Sequence, residues 1–180
     1  MEVKIIRSGK RERTIGARLE GDIMYVNAPA DMPEKELEKV IKNFQRRFER
    51  KKLKKELNKD DDLINIFKRL NEKYFEGKIK LSSIEYVTNQ NCKFGSCSYK
   101  SGKIRIAHSI ARMPEWVRSY AVMHEIAHII EPNHSRSFWD IVNRYKLTER
   151  ARGYLIAKGR EADGESDILG GDGVLNGRNP

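Results

Sequence analysis

Residues 114–132 are bounded by two prolines and carry two histidines four positions apart. Pro114 favours the first turn of a helix, where its missing N–H costs nothing, and Pro132 prevents the helix from continuing. His124 and His128 would then project from one side of this helix, one turn apart. The histidine row is predicted to border a cleft, because the other face is apolar and is expected to pack inward: Trp116, Met123, Ala127 and Ile130.

The rest of the chain predicts an α+β fold around this helix, with N-terminal strands and a small, mostly antiparallel sheet. Alternating or β-favouring runs predict strands at residues 3–6, 14–20, 23–27, 84–88 and 103–106. Apolar periodicity predicts further helices from residue 33, from about 61, at about 135–145 and at about 148–160. The apolar stripe of the first helix weakens after Arg50, which predicts a break there.

Length and composition favour one domain over residues 1–160, with N-terminal strands and helices to residue 80 and a core bearing the histidines at 81–160. Charged residues make up 34% of the chain, and apolar stretches are too short to span a bilayer. Two cysteines cannot build a disulfide scaffold, and the N-terminus lacks the apolar region of a secretion signal. A cytoplasmic protein is therefore expected.

The net charge of +10 is unevenly distributed. Residues 161–180 are acidic and glycine-rich, and we expect them to be disordered because they offer little apolar surface to bury. The basic run at 46–55 could contact nucleic-acid phosphates or could simply be the solvated end of a helix. Its candidate phosphate contacts are Arg46, Arg47, Arg50, Lys51 and Lys54.

The histidine pair has the spacing of a metal site. A catalytic zinc takes three protein ligands and an open position, and His134 is the third candidate because Pro132 allows the chain to turn back. Glu125, in the sequence H-E-x-x-H, could take a proton from a water held by the metal. The distance from His128 to His134 matches the ligand spacing of metzincins, although Glu131 stands where they carry glycine.

Other assignments stay open. Glu131 and Glu149 are alternative third ligands, since zinc also accepts carboxylates. His108 is expected to be a surface or capping histidine. Cys92 and Cys97 could pair on a second metal, but free buried thiols are favoured because no further cysteine exists.

The blocks KFGSCS, H-E-I-A-H and N-H-S-R-S-F-W resemble the YgjP-like metallopeptidase domain family, which is similar to the SprT-like and Wss-like zincins. The resemblance covers about residues 3–160. It implies a minimal zincin core and a hydrolase with one catalytic zinc on His124, His128 and His134, and with Glu125 as the base. The chain departs from the family pattern at Lys93-Phe94, where Arg-Trp is common, and at Ala107, where Asn is common.

Residues around this motif suggest how a substrate would bind. The predicted strand with Phe94, Gly95, Ser96 and Cys97 could pair with an extended peptide, with Gly95 allowing close approach of the backbone. Alternatively, Gly95 is only a bulge and Cys97 only part of the core. Ser135 is predicted to cap the next helix, whose buried stripe would hold His134 in place.

The sequence therefore predicts a zinc metalloprotease that cleaves peptide bonds with a metal-activated water, although other divalent metals are possible. Two alternatives stay open: a nucleotide phosphohydrolase using the same site, and a protease or binding module associated with nucleic acid. The absence of a Gly-rich phosphate loop argues against the first alternative. The candidates for stabilising an oxyanion are Tyr120, Tyr145 and Arg136.

Overall fold

A computed structural model describes residues 1–90 and 93–159. The chain divides into two compact units, Met1–Lys55 and a larger one that begins at Glu56. Each unit combines helices with a small sheet, so the predicted α+β class is confirmed. The single domain over 1–160 stays a prediction. The expected disorder at 161–180 and the assignment of Cys92 lie outside the described residues.

The first unit is a three-stranded sheet and a long helix. Strands β1 (Glu2–Ser8), β2 (Gly16–Glu20) and β3 (Ile23–Pro29) lie in the order β1-β3-β2. β1 is parallel to β3, whereas β2 is antiparallel to it. Helix α1 (Glu34–Leu57) follows, and the small core of this unit consists of Met24, Val26, Ala28 and Leu37.

Helix α1 corrects one prediction. It continues to Leu57, so the break predicted after Arg50 is wrong. Residues 51–57 lack an apolar stripe, but they are Lys, Leu and Glu, which are all good helix formers. Loss of amphipathicity removes a reason for burial without removing helix propensity, and Leu37 is the residue of α1 that is fully buried.

The second unit holds the remaining elements within the described residues. They are α2 (Asp62–Phe75), β4 (Ser83–Val87), β5 (Gly95–Ser98), β6 (Lys103–Ala107), a 3-10 helix (His108–Arg112), α3 (Glu115–Ile130), α4 (Arg136–Val142) and α5 (Thr148–Ala157). The sheet order is β4-β6-β5, with β4 parallel and β5 antiparallel to β6. Both sheets are therefore mixed rather than mostly antiparallel: in each, the two strands that follow one another through a short turn pair antiparallel, whereas the first strand lies parallel to the central one.

Helix α3 forms the centre of the larger core. Every side chain from Ser119 to Ala127 is at most 3% exposed, and α2, α4, α5 and the sheet pack around the helix. Met123 and Ala127 are buried as predicted, but Ile130 is 47% exposed. The prediction for Ile130 is wrong because it is the last helical residue, and the backbone becomes extended at Glu131.

Within the described residues, no helix combines the length and the apolar composition that crossing a membrane requires.

Candidate metal centre

Three histidines converge at the end of α3. His124 and His128 lie one turn apart on this helix, and His134 follows the turn at Pro132, just before α4. One ligand nitrogen from each ring can be chosen so that all three lie within 4.8 Å of one another. The Nε2 atoms of His134 and His124 are 3.3 Å apart. The turn after Pro132 therefore brings His134 back to the helix, as its position in the sequence predicts.

The donor set fits a bound cation. Two imidazole nitrogens that share a tetrahedral zinc at about 2.0–2.1 Å lie about 3.3–3.4 Å apart. The separation of the two Nε2 atoms, 3.3 Å, falls at this value. Neutral imidazoles suit zinc and several other transition metals. The three side chains can thus hold one metal ion.

Aromatic rings fix the orientation of these imidazoles. Phe138, fully buried on α4, has its ring centroid 4.8, 4.5 and 4.6 Å from those of His124, His128 and His134. Its backbone N–H donates to Ser135 Oγ at 3.3 Å, which confirms the predicted helix cap. Trp139 stacks on His134 with the ring centroids 5.9 Å apart. Helix α4 therefore limits the rotation of the histidine rings.

Burial keeps His124 neutral. Its side chain is only 1% exposed, and loss of hydration holds its pKa well below the ordinary 6.5. The neighbouring His128 and His134 lower the pKa further because a proton on one ring disfavours a proton on the next. A neutral imidazole offers a free lone pair, so no proton must leave before His124 can bind a metal.

Glu125 lies beside the histidines, and the backbone of β5 lies directly against it. The Glu125 side chain is 2% exposed. A Cβ added at Gly95 would come within 2.3 Å of Glu125 Oε1 and 2.8 Å of its carboxylate carbon. The absence of a side chain at Gly95 therefore makes room for the Glu125 carboxylate. The sequence interpretations of Gly95, a bulge or close approach to a substrate backbone, had not included this contact.

A cleft of about 330 Å³ opens over these groups. Its lining includes both sets of residues that the sequence predicts for the site. The candidate metal ligands and base are His124, His128, His134 and Glu125, and the candidate substrate-binding residues are Phe94, Gly95, Ser96 and Cys97. Phe94 is 1% exposed, and its ring packs edge-on against His124 at a centroid distance of 5.0 Å. Sequence reasoning missed Tyr99, Pro132 and Asn133 as lining residues; only their proximity to β5 and His134 hinted at them.

Cys97 is a protonated thiol. Burial, and secondarily the charge of Glu125, raises its pKa to about 12. At neutral pH the thiolate that nucleophilic attack or metal binding requires is therefore scarce. Cys97 acts as a small, half-buried wall of the cleft.

Several other candidates do not join the site. Glu131 accepts the backbone N–H of Asn133 at 3.4 Å, and Glu149 pairs with Arg152 at 3.0 Å. His108 is half-buried in the 3-10 helix. In the described ranges, none of these three belongs to the histidine cluster.

The remaining candidates lie elsewhere too. The oxyanion candidates Tyr120, Tyr145 and Arg136 do not line the cleft in the part of the chain that is described. Tyr120 is buried, and the Tyr145 hydroxyl donates to the Trp116 carbonyl at 3.0 Å. The basic residues proposed for nucleic acid lie on α1 of the first unit: Arg46, Arg47, Arg50, Lys51 and Lys54.

A histidine cluster that can hold a metal ion, with a buried carboxylate beside it, is the arrangement of a metal-dependent hydrolase. The model of the YgjP-like metallopeptidase domain matches residues 47–150, so the chain belongs to that family, as its motifs indicate. Among solved structures, the crystal structure of the metallopeptidase zymogen of Pyrococcus abyssi abylysin is similar, with a TM-score of 0.49 and 18% identity. The alignment covers 56% of this chain and 98% of that chain. A search of curated proteins found no match.

Metal retention tests the ligand assignment. We expect the wild type to keep about one zinc per chain after desalting and His134→Ala to lose it, because two imidazoles leave the ion under-coordinated. His108→Ala, which removes the histidine outside the cluster, is the matched control and should keep the metal. Elemental analysis measures both. Equal zinc content in the wild type and His134→Ala would contradict the assignment of His134.

The metal-free protein should lose stability as the pH falls. Unfolded His124 binds a proton near pH 6.5, whereas the native residue does so only at much lower pH. The unfolded state therefore binds more protons below pH 6.5, and the free energy of unfolding should decrease there by up to about 1.4 kcal/mol per pH unit. Urea titrations of chelator-treated wild type and His124→Gln at several pH values measure the contribution of His124 to the free energy of unfolding. Identical slopes of stability against pH would contradict it.

Proposed function

We propose that the protein is a zinc-dependent peptidase in which Glu125 acts as the general base. The observation that carries this proposal is the buried Glu125 carboxylate in the same cleft as the three histidine rings. Membership of the YgjP-like metallopeptidase domain family supports peptide-bond hydrolysis as the reaction class.

His124, His128 and His134 would hold the metal. When bound, zinc supplies a Lewis acid that polarises the scissile carbonyl and lowers the pKa of water towards about 7. The chain contributes imidazoles that are already oriented by Phe138 and, for His124, already neutral. Little reorganisation of the protein would then be needed on binding.

Glu125 would move the proton. One oxygen of its carboxylate accepts a proton from the attacking water, and the resulting carboxylic acid donates it to the nitrogen of the leaving amine. Gly95 keeps the β5 backbone close enough to limit where the carboxylate can lie. A base confined in this way is oriented before the substrate arrives, which favours catalysis.

Strand β5 would bind the substrate backbone. It lies at one end of the strand order β4-β6-β5 and, among the described strands, pairs with β6, so its other edge would be the one to receive an added strand. Ser96 and Cys97 on β5 also line the cleft. A peptide could therefore pair with β5 and place its carbonyl beside the histidines.

Replacing the base tests the chemistry. Glu125→Gln keeps the shape of the side chain but cannot accept the proton, so kcat for peptide cleavage should fall by about 10²–10⁴. Zinc content and melting temperature should stay near the wild-type values, which separates catalysis from folding. The assay offers unstructured protein and nucleoside triphosphates in parallel. Cleavage of the triphosphates alone would favour the phosphohydrolase alternative. Full peptidase activity of Glu125→Gln would contradict the assignment of Glu125 as the general base.

Gly95→Ala tests the positioning of Glu125. The added Cβ would collide with the carboxylate, which must then move, and a displacement of about 1 Å can cost about 10²-fold in rate. We expect kcat to fall while zinc content is kept. Gly153→Ala is the matched control, because a Cβ at that helical position meets no atom within 4 Å. Equal kcat for the two variants would show that Gly95 does not position the base.

A further inference from the structure

A second cleft adjoins the candidate active-site cleft. It has a volume of about 590 Å³ and lies between the α2–β4 connection, the β5–β6 hairpin and the C-terminal turn of α3. Its apolar lining comes from four aliphatic side chains and one aromatic ring: Ile79, Leu81, Ile129, Ile130 and Tyr99. Two of these, Ile130 and Tyr99, are 47% and 48% exposed. Apolar surface is thus offered to solvent beside the catalytic cleft, which is typical of a binding surface.

Tyr99 connects the two clefts. It lines both of them, and it comes directly after Ser98, the last residue of β5. A peptide that pairs with the open edge of β5 and continues past Tyr99 would enter the second cleft. The second cleft is therefore placed to bind substrate residues on one side of the scissile bond.

The second cleft is also positively charged. Lys78, Lys80 and Lys100 line it, and no acidic residue does so within the described chain. Lys78 is paired with Glu76, with Nζ and Oε2 2.5 Å apart. Lys80 and Lys100 form no ion pair with any described residue, which leaves two lysine charges available to a ligand.

The walls of the second cleft are held in place by hydrogen bonds. The buried Asn71 side chain donates to the Ile79 carbonyl at 3.0 Å and accepts the Ile79 N–H at 3.1 Å. The Ser82 N–H donates to the Gly102 carbonyl at 2.8 Å, and Gly102 has a φ of +61° that favours glycine. Both walls are thus fixed in the free protein, and a ligand would order little backbone on binding.

We propose that the second cleft is a specificity subsite that selects peptide substrates in which an apolar side chain is flanked by acidic ones. The inference rests on the proposed peptidase function. The aliphatic residues would contact the apolar side chain, while Lys80 and Lys100 would pair with the carboxylates. Because these ion pairs are exposed, each should favour an acidic over a neutral substrate by about 2- to 5-fold in kcat/KM, and less at high salt.

The test uses the full chain loaded with zinc and a peptide library randomised on both sides of a cleavable bond. Cleavage products are sequenced by mass spectrometry. We expect the wild type to enrich Asp and Glu on one side of the bond only. Lys80→Glu/Lys100→Glu should lose that enrichment or turn it towards Lys and Arg, with the change mainly in KM.

The matched control is Lys68→Glu/Lys146→Glu, which makes the same change in net charge at two exposed lysines outside both clefts. It should keep the wild-type preference. If no peptide is cleaved by the wild type, the proposed peptidase function is wrong. If peptides are cleaved without acidic enrichment, or with an enrichment that Lys80→Glu/Lys100→Glu leaves unchanged, the peptidase function stands and the subsite is wrong.

Two further outcomes would assign the second cleft to another occupant and overturn the substrate proposal. Faster cleavage of every peptide by Lys80→Glu/Lys100→Glu would indicate that the acidic segment 161–180 of the same chain occupies the cleft. Dissociation of a dimer in sedimentation, with an unchanged peptide preference, would indicate a second copy of the chain.

Discussion

Burial of polar groups on α3 is the constraint on which the larger unit depends. His124 and Glu125 are 1% and 2% exposed, in the middle of a helix whose other central residues are equally buried. Burying an unpaired charge or an unpaired polar atom is costly, so the surroundings of these two side chains must supply partners or keep them neutral. The low pKa of His124 reflects the cost of burying a charged imidazole, and a bound cation would accept the lone pair of the neutral ring.

The elements packed around α3 contact these two buried side chains. Helix α4 supplies Phe138, which touches all three histidine rings, and Ser135 fixes the start of that helix. Strand β5 approaches so closely at Gly95 that only a glycine leaves room for Glu125. The candidate metal centre is therefore built from contacts that also make the core, and such contacts favour a preorganised site.

Two elements of the same core end beside the second cleft. α3 ends at Ile130, and β5 ends at Ser98, so the two elements stop on either side of an exposed apolar surface. Lys80 and Lys100 give that surface its charge. The candidate metal centre thus lies in the buried part of the unit, and the second cleft lies at the exposed ends of α3 and β5.

Much of the candidate metal centre could be predicted from short sequence patterns. The prolines at 114 and 132 located α3, and the spacing of His124, His128 and Glu125 placed them together because a helix repeats every 3.6 residues. The end of α1 was misjudged because apolar periodicity reports which helix face is buried and does not report where a helix ends.

By itself, the sequence determined the α+β class, the spacing of the candidate metal-binding histidines and the capping Ser135, since each depends on residues close together in the chain. Only the tertiary structure decided that His134, rather than Glu131 or Glu149, lies beside the helical pair. It also decided that Gly95 meets Glu125 and that Tyr99 joins two clefts. These contacts join segments far apart in the chain, and their distances depend on how helices and strands pack, which no local pattern encodes.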